Sequence, residues 1–387
     1  MPPRSATTRP DDPDVQETVR RIGSRFAVAG EFVLGEVVET GLINATYRAT
    51  YESPSGERER YILQSINHHV FRDPLAVMQN VERVTRHINQ RVLRLKKDLG
   101  GQTLSLFPAR DGAMHTRDDD GNIWRCYNFI EGCVTYDVVE NTRQAWQAAH
   151  AFGAFQDLVS DLDPASIIES IPDFHDTGKR FARLSEVMAG DPVGRLDSVR
   201  AECDAIVGRV ALSEALLGSA LRGEIPLRVT HNDTKVNNVM IDAATDEAVC
   251  VIDLDTVMPG LAGYDFGDLV RTACTPVAED ETDLSLVRVR LPMFEALVEG
   301  YLASAGAFLS DAEVATLVTA CKVMTYEVAL RFLTDYLEGD VYFKVRRPGH
   351  NLDRCRNQLR LLACMEESGA EMEGFVAKVW RARRKTR

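Results

Sequence analysis

The residues most able to do chemistry lie near the middle of the chain, in and after two apolar runs. The first run leads into His231 and Asp233, and Asn238 follows five residues after Asp233. The second run ends at Asp253. Phosphoryl transfer needs a carboxylate that receives the proton of the acceptor hydroxyl, and oxygen ligands that hold Mg²⁺ against the nucleotide phosphates. With Asp233 as the base, and Asn238 and Asp253 as the metal ligands, the sequence predicts a small-molecule kinase that uses ATP and Mg²⁺.

The two expected metal ligands are of the right chemical type. Mg²⁺ prefers carboxylate and amide oxygens and keeps several waters, so Asn238 and Asp253 suffice when phosphate oxygens complete the shell. His231 and Asp255 are expected to orient the loops rather than react. Each motif is common by chance, since a lone buried His is usually structural and Asn-Asn usually marks a turn. Their combination is far more specific.

A phosphatase with an aspartyl nucleophile is a competing interpretation of the second run. Residues 248–257 also fit a strand followed by Asp-x-Asp, which places such a nucleophile at the end of a first strand. This interpretation leaves the upstream Asp233 and Asn238 unexplained. The kinase interpretation accounts for both segments.

The charge and hydropathy of the chain argue against several classes of partner. A formal charge of −13 over 387 residues disfavours a general role in binding phosphate backbones. No apolar run approaches the roughly 18 residues that span a bilayer, and no signal peptide opens the chain. We therefore expect a cytoplasmic protein with no nucleic-acid, membrane or obligate protein partner. Residues 1–14, which carry Pro and Asp, are expected to form a disordered arm.

The segment 15–131 is predicted to form a small lobe that covers a nucleotide. A helix is expected over 15–28, strands are expected within 32–66 with a turn at Gly41, and a second helix is expected over 73–97. This order of elements is typical of a small antiparallel sheet with helices beside it.

A hairpin and a hinge are expected at the end of this lobe. The Asp-rich turn 118–122 predicts a hairpin whose returning strand is 123–130. Backbone groups of Phe129, Ile130 and Glu131 are then expected to meet adenine, because a hinge would fall directly after the last strand.

The segment 132–387 is predicted to form a larger, mostly helical lobe. Apolar residues recur at helical spacing in three long stretches, 144–160, 192–218 and 311–337. Ser310 and Glu313 predict a capping box before the third stretch, and Gly339 predicts its C-cap. The predicted fold class is α+β, with a two-lobed kinase-like arrangement of a small antiparallel-sheet N-lobe and a helical C-lobe.

A second Asp-bearing segment has a weaker claim to function. Asp265-Phe266-Gly267 superficially matches the kinase Asp-Phe-Gly metal motif. Asp253 already fills that role by its spacing from Asp233. Asp268 is therefore expected to cap or anchor the helix that follows.

Several motifs together resemble the aminoglycoside phosphotransferase-like kinases, over most of the chain. Within that family the resemblance is strongest to kinases that phosphorylate N-acetylhexosamines. The segments that carry it are Gly41-Leu42-Ile43-Asn44-Ala45-Thr46-Tyr47, Tyr61-Ile62-Leu63-Gln64, Asn80-Val81-Glu82, Phe174-His175-Asp176-Thr177, 227–238, 252–260 and 331–343. Several of these are not general kinase motifs.

The resemblance implies an ATP-dependent transfer to the anomeric hydroxyl of N-acetylglucosamine or N-acetylgalactosamine, which gives the α-1-phosphate. Arg331 and Tyr342 match residues that contact the sugar in the family. A guanidinium on an apolar-rich helix needs acceptors, and the hydroxyls or acetamide carbonyl of a sugar can supply them. The structural alternative for Arg331 is an ion pair with Glu327 or Asp335, each four residues away.

The sequence departs from the expected kinase pattern at three positions. The phosphate-covering loop has one glycine, Gly41, so backbone donors up to Asn44 must suffice with help from Thr46. Gln64 stands where a kinase normally places its phosphate-pairing Lys, as in the close relatives, and more of the charge neutralisation then falls to Mg²⁺. Leu42 stands where the close relatives have a sugar-contacting His, and this change affects selectivity rather than phosphoryl transfer.

Two further functions stay open at the level of sequence. The first is a kinase of the same fold that acts on another small acceptor, such as an aminoglycoside, choline, homoserine or another sugar. The second is a catalytically silent nucleotide-binding protein. Retention of Asp233, Asn238 and Asp253 together weighs against a silent protein.

Overall fold

The structure is a computed structural model that describes residues 12–38, 43–95 and 103–385. The chain divides into two compact units, Met1–Gly132 and Cys133–Arg387, named here the first and the second unit. Among the described residues no helix is both long and apolar enough to cross a membrane.

The first unit is built on a five-stranded antiparallel sheet in the order β1-β2-β3-β5-β4. The buried faces of α1 and of the strands pack together in one core that includes Val19, Ile22 and Leu63. The elements are α1 (Pro13–Gly23), β1 (Glu31–Val37), β2 (Ala45–Glu52), β3 (Arg58–Ser65), α2 (Pro74–Leu95), β4 (Thr116–Arg117) and β5 (Ile123–Asn128).

The start of α1 follows from its sequence. The Asp12 carboxylate accepts a hydrogen bond from the N–H of Asp14, and Pro13 occupies the first helical position, where no N–H is needed. The arm predicted over 1–14 falls outside the described residues except for its last three, of which Pro13 and Asp14 belong to α1.

The second unit is mostly helical and contains two small antiparallel sheets, β6-β8-β9 and β10-β7. Its helices are α3 (Thr142–Val159), α4 (Thr177–Gly190), α5 (Arg200–Val207), α6 (Leu212–Ala215), α7 (Leu217–Leu221), α8 (Ala262–Ala273), α9 (Leu291–Ala305), α10 (Asp311–Ala315), α11 (Leu317–Glu338), α12 (His350–Glu367) and α13 (Gly369–Arg384). Its strands are β6 (Cys133–Val134), β7 (Arg228–Thr230), β8 (Val239–Asp242), β9 (Ala248–Val251) and β10 (Met258–Gly260).

A glycine allows α8 to lie directly against α11. A Cβ atom on Gly267 would lie 2.5 Å from the carbonyl oxygen of Ala320 and 2.8 Å from the side chain of Met324. Real Cβ atoms do not approach a backbone oxygen so closely, so any side chain here would push the two helices apart. The close contact fixes the position of α8.

The predicted fold class is confirmed, with a small antiparallel sheet followed by a mostly helical remainder. The capping box of Ser310 and Glu313 is present, and Gly339 ends α11 in a left-handed conformation with φ of 99°. The single helix expected over 311–337 is interrupted at Thr316, which separates α10 from α11.

The stretch 192–218, expected to be helical, is helical but not continuous. The chain forms a 3-10 turn at Leu196–Val199 and three short helices, α5 to α7. Gly194 adopts a left-handed conformation with φ of 68°, and Gly208 ends α5. Helical spacing of apolar residues does not report such glycine breaks, because a buried face is maintained across them.

Candidate active site

Strand β7 delivers the chain into a loop at residues 231–235, named here the catalytic loop. His231 is fully buried against the rings of Phe152 and Phe155, with centroids 5.4 and 5.6 Å away. Its Nε2 lies 2.9 Å from the carbonyl oxygen of Ile252, and its Nδ1 accepts a hydrogen bond from the N–H of Asp233 at 3.3 Å. His231 therefore ties Asp233 to the segment that leads to Asp253.

Two carboxylates of α8 hold the backbone of the catalytic loop. The N–H groups of His231 and Asn232 donate to Asp265 at 2.9 and 2.7 Å. The N–H of Thr234 donates to Asp268 at 3.1 Å. Leaving a buried N–H without an acceptor costs roughly 1–3 kcal/mol, so these bonds fix the loop, including the left-handed backbone of Asn232 with φ of 65°.

Asp268 was expected to cap or anchor a helix; it does not cap one, but it does connect α8 to the catalytic loop. Asp268 lies within α8, and besides Thr234 it accepts two hydrogen bonds from Arg271, at 2.8 and 3.0 Å. Arg271 supplies a positive charge that balances the buried carboxylate, which would otherwise be costly to bury. The segment 265–268 thus supports the catalytic loop and does not form a metal motif.

Asp233 is the half-buried carboxylate at the centre of the loop, with 20 % of its side chain exposed. The Nζ of Lys235 lies 2.9 Å from its Oδ1. Burial alone would raise the pKa of Asp233, but the charge and hydrogen bond of Lys235, with smaller effects of His231 and Arg271, bring it below its ordinary value. In return, the Asp233 carboxylate raises the pKa of Lys235. Asp233 is therefore ionised at neutral pH.

Backbone pairing brings the two expected metal ligands to neighbouring positions. The N–H of Ile252 donates to the carbonyl of Asn238 at 2.9 Å. This hydrogen bond places the backbone of the next residue, Asp253, close to Asn238. The side-chain amide of Asn238 donates to the carbonyl of Asp233 at 2.9 Å, which leaves its amide oxygen as the atom suited to a cation. Asp253 is exposed and has a left-handed backbone with φ of 61°. These hard oxygen atoms fit Mg²⁺.

Asp255 lies in the 3-10 turn Leu254–Thr256 and is buried, with 2 % of its surface exposed. The neighbouring Thr256 donates its hydroxyl to the carbonyl of His231 at 2.8 Å, and its own carbonyl accepts from the Asn232 side chain at 2.9 Å. The turn that contains Asp255 therefore stabilises the catalytic loop through Thr256, in addition to the hydrogen bonds from α8.

A cavity of about 360 Å³ lies in the second unit and contains both residues expected to contact a sugar, Arg331 and Tyr342. Helices α4 and α11 and the segment after α11 form its walls. The lining residues are Pro172, Asp173, Lys179, Arg180, Arg183, Leu330, Arg331, Thr334, Asp335, Glu338, Tyr342 and Phe343. The volume is suited to a small molecule of monosaccharide size.

The ion pairs considered for Arg331 do not form, because both candidate carboxylates are bound elsewhere. Glu327 contacts His175 Nδ1 at 2.9 Å and accepts from the Thr177 hydroxyl at 2.7 Å. Asp335 accepts from the backbone N–H groups of residues 341–343 and from the Asn351 side chain. The Arg331 guanidinium instead lies among three rings, those of Phe174, Tyr342 and Phe343, at 5.4 to 5.8 Å from their centroids.

His175 connects the cavity wall to the catalytic loop. Its Nδ1 contacts Glu327 of α11, and its Nε2 lies 3.2 Å from the carbonyl oxygen of Asn232. The preceding residue, Phe174, packs against Arg331. Because two consecutive residues span from Arg331 to the loop, the cavity and Asp233 belong to the same region of the second unit.

The residues assigned to the nucleotide phosphates lie on one row of the first unit's sheet. Thr46 of β2 is paired with Gln64 of β3, which is paired with Arg125 of β5. The Gln64 amide donates to the Thr46 hydroxyl at 3.0 Å and its oxygen accepts from Arg125 Nε at 2.9 Å. Asn44 is buried and accepts from the N–H of Asn67 at 2.9 Å. Gly41 and Leu42 lie outside the described residues.

The expected hinge residues follow β5 directly. The N–H of Phe129 donates to the carbonyl of Arg60 at 3.2 Å, so this group already has a partner and is not available to adenine. Ile130 is buried with 5 % exposure. The Glu131 carboxylate forms an ion pair with Arg60, whose guanidinium also covers the Phe129 ring.

Sequence reasoning missed four residues of the second unit that belong to the catalytic loop, contact it or line the cavity, and one residue of the first unit. Asp265 was considered only as part of a false metal motif, and Lys235, His175 and Arg180 were assigned no role. Arg125, on the strand next to Gln64, was also missed. His175 and Lys235 had a sequence signal, since each falls within one of the segments that carry the family resemblance.

The α+β architecture, with Asn238 and the segment that leads to Asp253 beside the loop that carries Asp233, matches a kinase-like phosphotransferase. The chain belongs to the phosphotransferase enzyme family known as APH, whose sequence model matches residues 35–307. The matched segment includes Asp233, Asn238 and Asp253 and ends before α11, so Arg331 and Tyr342 lie beyond it.

Solved structures share the fold along nearly the whole chain. An aminoglycoside phosphotransferase from Alicyclobacillus acidocaldarius subsp. acidocaldarius is 14% identical, with 98% of each chain covered and a TM-score of 0.56. A microcompartment-associated aminopropanol kinase is also 14% identical, with 92% of this chain and 98% of the other covered and a TM-score of 0.54. Amicoumacin kinase hAmiN, in complex with AMP-PNP, Ca²⁺ and Ami, is 14% identical, with 90% and 93% covered and a TM-score of 0.54. These identities establish the kinase-like fold alone.

Proposed function

We propose that the protein is an ATP- and Mg²⁺-dependent kinase that phosphorylates the anomeric hydroxyl of N-acetylhexosamines. The products would be the α-1-phosphates of N-acetylglucosamine and N-acetylgalactosamine. The observation that carries the acceptor assignment is the cavity in which Arg331 and Tyr342 face the same space. ATP use is further supported by the nucleotide analogue bound to the fold neighbour amicoumacin kinase.

Asp233 is assigned the role of base. Its carboxylate is ionised, partly exposed and fixed by His231 and α8, so it can orient an acceptor hydroxyl and receive its proton. A lowered pKa makes it a weak base, which suits phosphoryl transfer because the hydroxyl proton leaves late in a loose transition state. Positioning and electrostatics, rather than base strength, then supply most of the rate.

Asn238 and Asp253 are assigned to hold Mg²⁺. The ion, when bound, would neutralise charge that develops on the transferred phosphoryl group. Asp253 has a left-handed backbone, with φ of 61°, and directly precedes the 3-10 turn Leu254–Thr256. In the first unit, Asn44, Thr46 and Gln64 are assigned to the phosphates and Ile130 and Glu131 to the adenine.

The cavity favours a neutral sugar over the cationic acceptors considered above. Aminoglycosides and choline carry permanent or protonated nitrogen cations, which the guanidinium of Arg331 would repel. The rings of Tyr342 and Phe343 can pack against the apolar face of a sugar, while Arg331 donates to its oxygen atoms. Homoserine is not disfavoured on this ground, because its carboxylate could pair with arginine.

Replacing Lys235 with Met is expected to move the acid limb of the kcat/KM profile to higher pH. The base must be ionised, so activity falls as the pH falls through the pKa of Asp233. Lys235 holds that pKa below its ordinary value of about 3.9, and without Lys235 burial raises it. The profile from about pH 4.5 to about pH 8.5 tests this shift.

A lysine far from the site provides the control for this variant. Lys378 is exposed on α13 and contacts only the ring of Phe375 among the interactions described for it, and Lys378→Met is expected to leave the profile unchanged. Superimposable profiles for Lys235→Met and the wild type would contradict the electrostatic role of Lys235.

An acceptor panel tests the proposed function directly. ADP release would be measured with ATP and Mg²⁺ against N-acetylglucosamine, N-acetylgalactosamine, other hexoses, choline, homoserine and kanamycin, with phosphorus NMR of each product. An anomeric phosphate of an N-acetylhexosamine is the expected result. Turnover with a different acceptor would reject the N-acetylhexosamine assignment and retain the kinase, whereas nucleotide binding without turnover on any acceptor would favour a silent binding protein.

A further inference from the structure

Two arginines, Arg180 of α4 and Arg331 of α11, line the same cavity. Arg180 lies three residues after Thr177, the residue that binds Glu327, so both are on nearly the same side of α4. Burial lowers the pKa of Arg180, and the charge of Arg331 lowers it further. The two guanidinium groups are therefore close enough to repel one another.

The carboxylates that line the cavity already accept hydrogen bonds from groups other than Arg180 and Arg331. Asp173 accepts from Lys179 at 2.6 Å, and Glu338 accepts from Arg183 at 2.9 Å. The four hydrogen bonds of Asp335 go to the segment after α11 and to Asn351. Among the described residues, neither Arg180 nor Arg331 forms an ion pair with any of these carboxylates.

The hydrogen bonds of Arg180 are incomplete within the part of the chain that the structure describes. Its Nη2 donates to the carbonyl of Phe174 at 3.2 Å, and its buried Nε has no acceptor there. A desolvated guanidinium with an unmet donor costs free energy unless a further group supplies oxygen atoms. The pKa of Glu327 is lowered, so its carboxylate is ionised and offsets part of the positive charge of Arg180 and Arg331. Its oxygen atoms, however, already contact His175 and Thr177.

We propose that Arg180, together with Arg331, contacts the phosphoryl acceptor, and that the pair selects acceptors that present oxygen atoms and rejects those that present an ammonium group. This inference rests on the proposed function, because it takes the cavity as the acceptor site. The guanidinium N–H groups of the two arginines would donate to oxygen atoms of the acceptor other than its reacting hydroxyl. A neutral acetamide, a group of hydroxyls or a carboxylate can each supply such hydrogen-bond-accepting oxygen atoms.

The test compares two sugars that differ only in the C2 substituent. N-acetylglucosamine presents an acetamide oxygen, and glucosamine presents an ammonium group on the same ring. Binding of each would be measured by calorimetry in the presence of AMP-PNP and Mg²⁺, with glucuronate and choline as the anionic and cationic comparisons. Steady-state kinetics with ATP would be measured in parallel on each compound.

Arg180→Gln is expected to weaken N-acetylglucosamine binding by about tenfold to a hundredfold, the range for a lost charge-assisted hydrogen bond, with an unchanged KM for ATP. Glucosamine binding is expected to change little or to improve. Arg180→Lys keeps the charge and loses the planar fork, so it should still reject glucosamine while binding N-acetylglucosamine less tightly than the wild type. The Lys variant also tests the proposal if the Gln variant does not fold.

Arg200→Gln is the control. Arg200 does not line the cavity, and its side chain, which is 68% exposed, pairs with Asp197 on the surface. Exposed ion pairs contribute little, so both sugars should bind this variant within about twofold of the wild type.

The outcomes separate this inference from the proposed function. If the wild type phosphorylates N-acetylglucosamine and Arg180→Gln does so with the same selectivity, the role of Arg180 is rejected and the function stands. If the wild type binds only another oxygen-bearing compound, such as glucuronate, and that binding depends on Arg180, the N-acetylhexosamine assignment is rejected and the role of Arg180 stands. Preference for choline or glucosamine, or binding of none of the four compounds, overturns the inference.

Discussion

Asp233→Asn is expected to lower kcat by about 10²–10⁴ while leaving ATP binding intact. The Asn side chain keeps the size of the residue, and the backbone bonds of the loop to Asp265 and His231 do not use the Asp233 carboxylate. The variant therefore loses the proton acceptor without losing the fold of the loop. Turnover with the best acceptor of the panel and calorimetric ATP binding provide the two measurements.

The control for this variant removes a carboxylate that has no part in the site. Asp197 is 89% exposed and pairs with Arg200 on the surface, so Asp197→Asn should keep full activity. Near-normal turnover of Asp233→Asn would remove Asp233 from the role of base. A simultaneous loss of ATP binding would indicate a collapsed site rather than a missing base.

Asp253→Ala is expected to weaken Mg²⁺-dependent nucleotide binding by more than about tenfold, since even second-shell changes at metal sites cost that much. The quantity to measure is the ratio of ATP affinities with and without Mg²⁺. The wild-type ratio should be large, and the ratio for the variant should approach one, because the affinity without metal does not depend on this carboxylate.

A second variant separates the carboxylate from the backbone of Asp253. The left-handed conformation at φ of 61° is tolerated by Asn but strained for Ala, so Asp253→Asn keeps the backbone and an amide oxygen while it removes the charge. A reduced ratio of ATP affinities with and without Mg²⁺ in both variants supports metal binding by Asp253. An unchanged ratio in Asp253→Asn with a reduced ratio in Asp253→Ala would trace the effect to the backbone instead.

The elements that the sequence predicts well are those that local pattern specifies. Helices α2 and α3 were expected within a few residues of their observed bounds, because their buried faces recur at helical spacing. The capping box at Ser310 and Glu313 and the C-cap at Gly339 were predicted correctly for the same reason, since caps are local chemistry. The helix breaks within 192–218 were not predicted, because they do not disturb the apolar face.

The parts of the site that the sequence does not predict depend on partners distant along the chain. Asp265 and Asp268 bind N–H groups more than thirty residues earlier, and nothing in either segment marks the other as its partner. Arg180 is an ordinary helical arginine in the sequence. It becomes notable only because the fold faces it toward Arg331 and directs the nearby carboxylates to other groups.

The support that α8 gives to the catalytic loop bears on how this chemistry could be moved to another scaffold. The loop holds the reactive carboxylate, but much of its shape is dictated by Asp265 and Asp268, and the seat of α8 depends on the absent side chain of Gly267. A graft of residues 231–238 alone would carry the reactive groups without their frame. The smallest portable module is therefore the loop together with residues 252–256, α8 and the surface of α11 against which α8 packs.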